Sequence, residues 1–95
     1  MFFALLTYKT SLERVDEYLE EHKHYLDKNY QLGNFIFSGR RNPRIGGVIL
    51  INQSSKEQVM NIIAEDPFYE HEIAEYELIE FTPSKYDEKF NVFLK

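Results

Sequence analysis

The chain has 95 residues, contains no cysteine and carries a formal net charge of −5 at pH 7. This length predicts one small domain, and the absence of thiols excludes disulfides and thiolate metal sites. The acidic balance argues against a general nucleic-acid binder, because such proteins need a basic face for the phosphates. No apolar stretch approaches the ~20 residues that span a bilayer, and the first residues lack the basic start of a signal peptide. We therefore expect a cytoplasmic protein that binds neither nucleic acid nor a membrane.

An aromatic and aliphatic run opens the chain and predicts the first strand at residues 2–9. Ser11 follows as the expected N-cap of a helix that continues to about Tyr30 and is ended by Gly33. Along this helix, apolar residues recur at spacings of three and four, which places them on one buried face. These residues are Leu12, Val15, Leu19 and Leu26.

Residues 34–40 and 47–52 predict the second and third strands, which form a hairpin. The loop between them contains Asn42-Pro43, a turn signal whose proline cannot lie inside a strand ladder. Regular alternation places Phe35 and Phe37 on one face of the second strand. The third strand is apolar at both odd and even positions, so both of its faces are expected to be buried.

The second half of the chain predicts a helix at residues 56–64, capped by Ser54 or Ser55, and a fourth strand at residues 72–81. The resulting order is β-α-β-β-α-β. We therefore expect an α+β, ferredoxin-like fold with an antiparallel sheet and two helices on one face. The strands are apolar on both faces, and a soluble monomer does not tolerate a large exposed apolar sheet face. This predicts a homodimer in which two copies pack sheet on sheet.

The domain is expected to end near residue 82, which leaves residues 83–95 as a C-terminal extension. This extension is polar at first and apolar at residues 90–94. We expect it to pack on the domain or on the dimer partner, and the alternative is a flap over a pocket.

His22 occupies a position of the predicted helix stripe that would otherwise carry an aliphatic side chain. Its imidazole exchanges a proton near neutral pH, and a polar ring needs a partner when it is buried. The segment Asp66-Pro67-Phe68 offers the best carboxylate, although Asp before Pro is also a common helix cap. Such a histidine is either a core-edge side chain bonded to a backbone carbonyl or a member of an acid–base site. His24 and His71 are expected at the surface.

Three arginines, Arg40, Arg41 and Arg44, form the only basic cluster of the sequence. The last two are expected to be solvated, whereas Arg40 follows Ser38 and Gly39 at a strand end. There its guanidinium could hold a carboxylate or a phosphate, and the glycine would allow a ligand to approach the backbone. Ser38 lacks the Gly-x-Ser-x-Gly elbow of a nucleophile. The sequence contains no metal-ligand cluster and no cofactor fingerprint, so we expect neither group.

The order and spacing of these short motifs resemble the YciI-like family over residues 1–82. The matching segments are His22-Lys23-His24-Tyr25-Leu26, Ser38-Gly39 and Asp66-Pro67-Phe68. The resemblance implies a ferredoxin-like protomer that assembles as a dimeric α/β barrel. It also implies an active site built on a pair of His22 and Asp66.

The leading hypothesis is therefore an enzyme in which His22 and Asp66 are the catalytic pair and His22 is the general base. Its reaction would be of the lyase, isomerase or hydrolase type. The side chains expected to contact a small, anionic substrate are Ser38, Gly39, Arg40 and Phe68. One alternative is a non-catalytic module that binds a small ligand, including haem through His22. The other is a plain dimer in which the pair serves stability alone.

Overall fold

The computed structural model describes residues 1–94, and its elements follow the order β-α-β-β-α-β, with a short extra helix before the last strand. The strands are Phe2–Tyr8 (β1), Phe35–Arg40 (β2), Gly46–Ile51 (β3) and Ala74–Glu80 (β4). The helices are Leu12–Glu17 (α1), Leu19–Gln31 (α2), Lys56–Ala64 (α3), Pro67–Glu70 (α4) and a 3₁₀ helix at Glu88–Phe93. Lys95, the last residue of the expected extension, lies outside the described residues.

The four strands form one sheet in the order β2-β3-β1-β4, and each neighbouring pair is antiparallel. Together with the chain order, this arrangement confirms the predicted α+β, ferredoxin-like fold. The core lies between the helices and one face of the sheet. Its sheet residues are Phe2, Ala4, Leu6, Phe35, Ile49, Ile51 and Ala74. Its helix residues are Val15, Tyr25, Val59, Ile63 and Phe68.

The predicted first helix is interrupted at Tyr18 and forms α1 and α2. Tyr18 leaves helical geometry (φ −107°, ψ 5°), and its N–H donates to the carbonyl of Val15, three residues back, at 3.1 Å. The Tyr18 ring stacks on His71, with centroids 4.2 Å apart, which ties this turn to the end of α4. The predicted burial of Leu12 is wrong, because Leu12 is the first residue of α1 and is 44 % exposed, whereas Val15 in the next turn is buried. The buried residues of α2 are His22, Tyr25 and Asn29.

A β-bulge at Ile36 interrupts the alternation of β2. Phe35 pairs with Ile51 of β3, and Phe37 already pairs with the adjacent Leu50, so two steps on β2 match one step on β3. Phe35 is buried under the helices, whereas Phe37 lies on the opposite face and is 50 % exposed. The prediction that both rings share a face is therefore wrong. The register of β2 is set by its pairing with β3, and the residue pattern within β2 alone does not predict that pairing.

The other predicted elements differ from the structure only at their ends. Helix α3 has the predicted bounds, and Ser55 is its N-cap, with Oγ accepting from the N–H of Gln58 at 3.3 Å. Strand β4 is shorter than predicted, because only Ala74–Glu80 pairs with β1. Strand β3 begins one residue early, at Gly46.

The C-terminal segment returns to the end of the sheet at which β1 begins and β3 ends. Asn52 Nδ2 donates to the carbonyl of Phe93 at 3.1 Å. The ring of Phe93 packs edge-on against Phe90, with centroids 5.4 Å apart. The described part of the extension therefore contacts the domain of its own subunit.

Candidate functional site

His22 lies near the start of α2 and is enclosed by aromatic rings. Phe68 stacks in parallel on the imidazole, with centroids 4.0 Å and planes 4° apart. Tyr25, three residues later on the same helix, flanks the ring at 6.1 Å. The histidine is only 9 % exposed, and these contacts fix the plane of its ring. Phe68, which was predicted to contact substrate, thus also supports the imidazole.

Asp66 is the polar partner of His22, and it is fully buried. Its Oδ1 lies 2.8 Å from His22 Nδ1. The same oxygen accepts from the N–H of Phe68 at 2.9 Å, because Asp66 is the N-cap of α4 and Pro67 is the first residue of that helix. The helix cap and the contact with His22 therefore coexist on one carboxylate.

The second carboxylate oxygen is bound by a residue that the sequence did not single out. Tyr76 lies on the helix-facing side of β4, and its hydroxyl donates to Asp66 Oδ2 at 2.5 Å. Burial, together with the negative charge of Asp66, raises the pKa of the Tyr76 hydroxyl above its ordinary range, so this group remains a donor. The sequence alone indicates only that Tyr76 shares the inward face of the fourth strand with Ala74 and Leu78.

The hydrogen bond to Asp66 determines which nitrogen of His22 is free. An ionised carboxylate only accepts, so Nδ1 carries the proton and the neutral ring has its lone pair on Nε2. Within residues 1–94, no side chain or backbone group bonds to Nε2. Every described side-chain nitrogen or oxygen that is shielded from solvent has a hydrogen-bond partner, so the unpartnered Nε2 is not one of the shielded atoms. The Nε2 atom is therefore accessible, and it can take a proton from a bound molecule.

A cavity of about 190 Å³ opens beside His22, between α2 and the hairpin of β2 and β3. It brings together the expected base and the four expected substrate contacts: His22, Ser38, Gly39, Arg40 and Phe68. Asp66 lies behind the imidazole and does not line the cavity. The aliphatic part of the wall comprises Leu6, Leu19, Leu26 and Ile49. The described residues of the extension do not line it, so they do not cover the site in their own subunit.

The cavity is cationic although the protein is acidic. Lys23 and Arg40 line it, and no Asp or Glu side chain does. The two neighbouring arginines were predicted to be solvated, but both have partners in the protein. Arg41 donates to Thr7 Oγ1 at 2.9 Å, and Arg44 donates to Asp16 Oδ1 at 2.6 Å. Among the described residues, no comparable partner binds the guanidinium of Arg40. Its charge is therefore available to an anion in the cavity.

Ser38 is paired with a tyrosine and has no base beside it. Its Oγ lies 2.7 Å from the hydroxyl of Tyr30. No histidine or carboxylate of residues 1–94 bonds to this hydroxyl, so the arrangement lacks the activating partner of a serine nucleophile. Ser38 contributes a hydrogen-bonding group to the cavity wall.

His24 and His71 are exposed, as expected.

In the part of the chain that the structure describes, no group of three or more His, Cys, Asp or Glu side chains is placed to hold a metal ion. No helix between residues 1 and 94 has the length and the apolar character needed to cross a bilayer.

Comparison with known proteins gives one family and a structural neighbour. A family model described as YCII-related domain matches residues 1–82. No curated protein matches the sequence. A similar solved structure is 5-chloro-2-hydroxyhydroquinone dehydrochlorinase from Burkholderia phenoliruptrix, in complex with 2,5-dihydroxybenzoquinone. The TM-score is 0.70 at 15 % sequence identity, over 86 % of this chain and 94 % of that chain, so the likeness shows a shared fold alone.

Proposed function

The chain belongs to the family of YCII-related domains, and we propose that it is a small-molecule enzyme with His22 as general base. One observation carries this proposal. The Nδ1 side of the imidazole is fixed to a buried carboxylate, while the Nε2 side is accessible from a cavity. A histidine that served stability alone would not need a free nitrogen beside a cavity that also presents two cationic side chains.

The proposed reaction begins with the transfer of one proton from the substrate to His22. Asp66 holds the proton on Nδ1, so the Nε2 lone pair takes a proton from a C–H bond of the substrate. The adjacent carboxylate then stabilises the positive charge of the imidazolium. Returning the proton to another atom of the substrate gives isomerisation. In elimination the electron pair of the C–H bond expels a leaving group, and the imidazolium then releases its proton to the leaving group or to solvent. The same base acting on water would give hydrolysis, so the reaction type is that of a lyase, isomerase or hydrolase.

The proposed substrate is a small anion. A cavity of about 190 Å³ lies below the ~300–1,000 Å³ of typical ligand pockets and is too small for haem. Arg40 and Lys23 supply positive charge, and the aliphatic wall and Phe68 favour an apolar or planar body. The structural neighbour is named as a dehydrochlorinase, and such a reaction removes a proton and a chloride ion. We therefore include the compounds named for that neighbour among the first probes.

The proposal is tested by incubation with candidate small molecules in D₂O. The panel comprises small carboxylates, 5-chloro-2-hydroxyhydroquinone and 2,5-dihydroxybenzoquinone, and NMR monitors product formation and deuterium incorporation. We expect at least one compound to exchange a carbon-bound proton or to react in the presence of the protein. Saturable binding without exchange or product across the panel would favour the ligand-binding module instead.

Arg40→Ala is expected to weaken the binding of a panel anion by about tenfold or more, because a charge-assisted hydrogen bond is lost. Isothermal titration calorimetry measures the effect. Arg41→Ala is the matched control, since Arg41 is adjacent in sequence but bonds to Thr7 and does not line the cavity. Equal affinities of the two variants would show that Arg40 does not bind the anion.

We also propose that two copies pack through the open faces of their sheets, as a dimeric α/β barrel. This face carries an apolar cluster that the helices do not cover. Its members are Phe3, Leu5, Phe37, Val48, Leu50 and Ile79. Phe37 and Ile79 are 50 % and 44 % exposed, and a second copy would remove both from water.

Sedimentation velocity tests the proposed dimer. The unmodified protein is expected to sediment as a dimer, and Ile79→Asp as a monomer, because burying an unpaired charge in the interface is costly. Leu32→Asp is the matched control, since Leu32 is a 63 % exposed apolar side chain that lies outside the sheet. A monomeric unmodified protein would exclude this assembly.

A further inference from the structure

The carboxylate of Asp66 accepts hydrogen bonds from three elements of the fold: α2, α4 and β4. His22 Nδ1 and the N–H of Phe68 both bond to Oδ1, and the Tyr76 hydroxyl bonds to Oδ2. We propose that Tyr76 is a positioning residue that fixes Asp66 in the orientation that holds the Nδ1–H tautomer of His22. This inference rests on the proposed role of His22 as general base.

Tyr76 is the only described side chain that bonds to Oδ2. Asp66 is fully buried, so loss of the hydroxyl would leave one carboxylate oxygen without its hydrogen-bond donor. The carboxyl group can relieve this state by rotating about its side-chain torsion or by binding a proton. Either change competes with the hydrogen bond to His22. The tyrosine therefore acts on the imidazole through the aspartate.

The position of Tyr76 supports a role at a distance from the substrate. It does not line the cavity beside His22. It lines a second cavity of about 690 Å³, formed by residues of α3, α4 and β4. Its backbone belongs to a strand, and its ring packs edge-on against Tyr69 at 5.6 Å. These contacts hold the hydroxyl in place without exposing it to the substrate.

The test compares Tyr76→Phe with Tyr25→Phe. Both changes delete a single hydroxyl and keep the ring, so Tyr25→Phe retains the aromatic contact with His22. The Tyr25 hydroxyl donates to the carbonyl of Ile62 at 2.8 Å and does not contact Asp66. The first readout is the ¹⁵N NMR spectrum of the His22 ring. We expect the unmodified protein and Tyr25→Phe to show a single Nδ1–H tautomer. Tyr76→Phe is expected to show a second, Nε2–H population and faster exchange of the Nδ1 proton.

The second readout is turnover of an active panel compound. Tyr76→Phe is expected to lower kcat about tenfold with KM unchanged, as for other residues that orient a functional group from behind. If Tyr76→Phe does not fold, 3-fluorotyrosine at position 76 keeps the ring and strengthens the donor. It is expected to shift the Nδ1–H resonance while a single tautomer persists.

The outcomes separate this inference from the proposed function. Identical ring spectra of Tyr76→Phe and the unmodified protein, or an unchanged Nδ1–H resonance with 3-fluorotyrosine, would overturn the role of Tyr76. Failure of the proposed function appears differently, as turnover that survives the replacement of His22. The NMR comparison needs no substrate, so it decides the role of Tyr76 in either case.

Discussion

Replacing His22 with glutamine is expected to lower kcat by about 10²- to 10⁴-fold while the protein stays folded. Glutamine is of similar size and carries an amide N–H group, so a hydrogen-bond donor remains beside the buried carboxylate. The amide cannot take a proton near neutral pH, so the proposed chemistry is lost and the packing is largely retained. The measurement is kcat at saturating concentration of the active panel compound, with a melting curve of the same sample.

His24→Gln is the control for this experiment. His24 lies two residues further along α2 and is exposed, so the same chemical change is made outside the cavity. We expect its kcat to equal that of the unmodified protein. A His22→Gln variant that is folded and fully active would refute the general-base role and would leave stability as the function of the pair.

Gly46→Ala is expected to abolish folding. A Cβ atom at position 46 would overlap the carbonyl oxygen of Leu6 and lie 2.7 Å from its carbonyl carbon. Both atoms belong to the backbone of β1, which is hydrogen-bonded on both sides in the sheet and cannot move away without breaking its ladders. A domain of this size has about 5–15 kcal/mol of stability, and a clash with backbone atoms belongs among the largest single-site effects, above ~4 kcal/mol.

Circular dichroism during heating measures this effect, and Gly39→Ala is its control. A Cβ at Gly39, at the other side of the same hairpin, meets no atom within 4 Å. We expect Gly39→Ala to melt cooperatively near the temperature of the unmodified protein, and Gly46→Ala to show no cooperative transition. If both variants melt at similar temperatures, the backbone of β1 at Leu6 can move away from a Cβ atom at position 46, and the prediction is wrong.

The chain order of strands and helices was predictable because it is written in local patterns. The spacing of Val59 and Ile63 and the cap at Ser55 are contained in one short segment, and α3 has the predicted bounds. His22 was noticeable for the same reason, as a polar side chain in an apolar stripe. Its contact with Asp66 spans 44 residues and was an expectation from family resemblance, which the geometry of the pair now supports as a proposal.

The features that the sequence did not predict depend on contacts between distant segments. Tyr18 interrupts the first helix where its ring stacks on His71, which lies in the second half of the chain, after α4. Tyr76 is one of several inward-facing aromatic residues, and its role appears only when Asp66 is placed beside it. The free energy of these arrangements comes from tertiary packing, which periodicity along one segment does not contain.

The bulge at Ile36 also has a consequence for the alignment of relatives. Beyond the bulge, Ser38 and Arg40 pair with Ile49 and Gly47 and share the helix-facing side of the sheet. In a regular strand of the same sequence, every residue after the bulge would change face, and Arg40 would turn away from His22. If a relative has one residue more or fewer at this point, residues that align with Ser38 and Arg40 in sequence do not face the cavity. In a relative without the bulge, the residue equivalent to Arg40 has to be identified from the pairing of the second strand with the third. Counting residues from the histidine would select a residue whose side chain lies on the other face of the sheet.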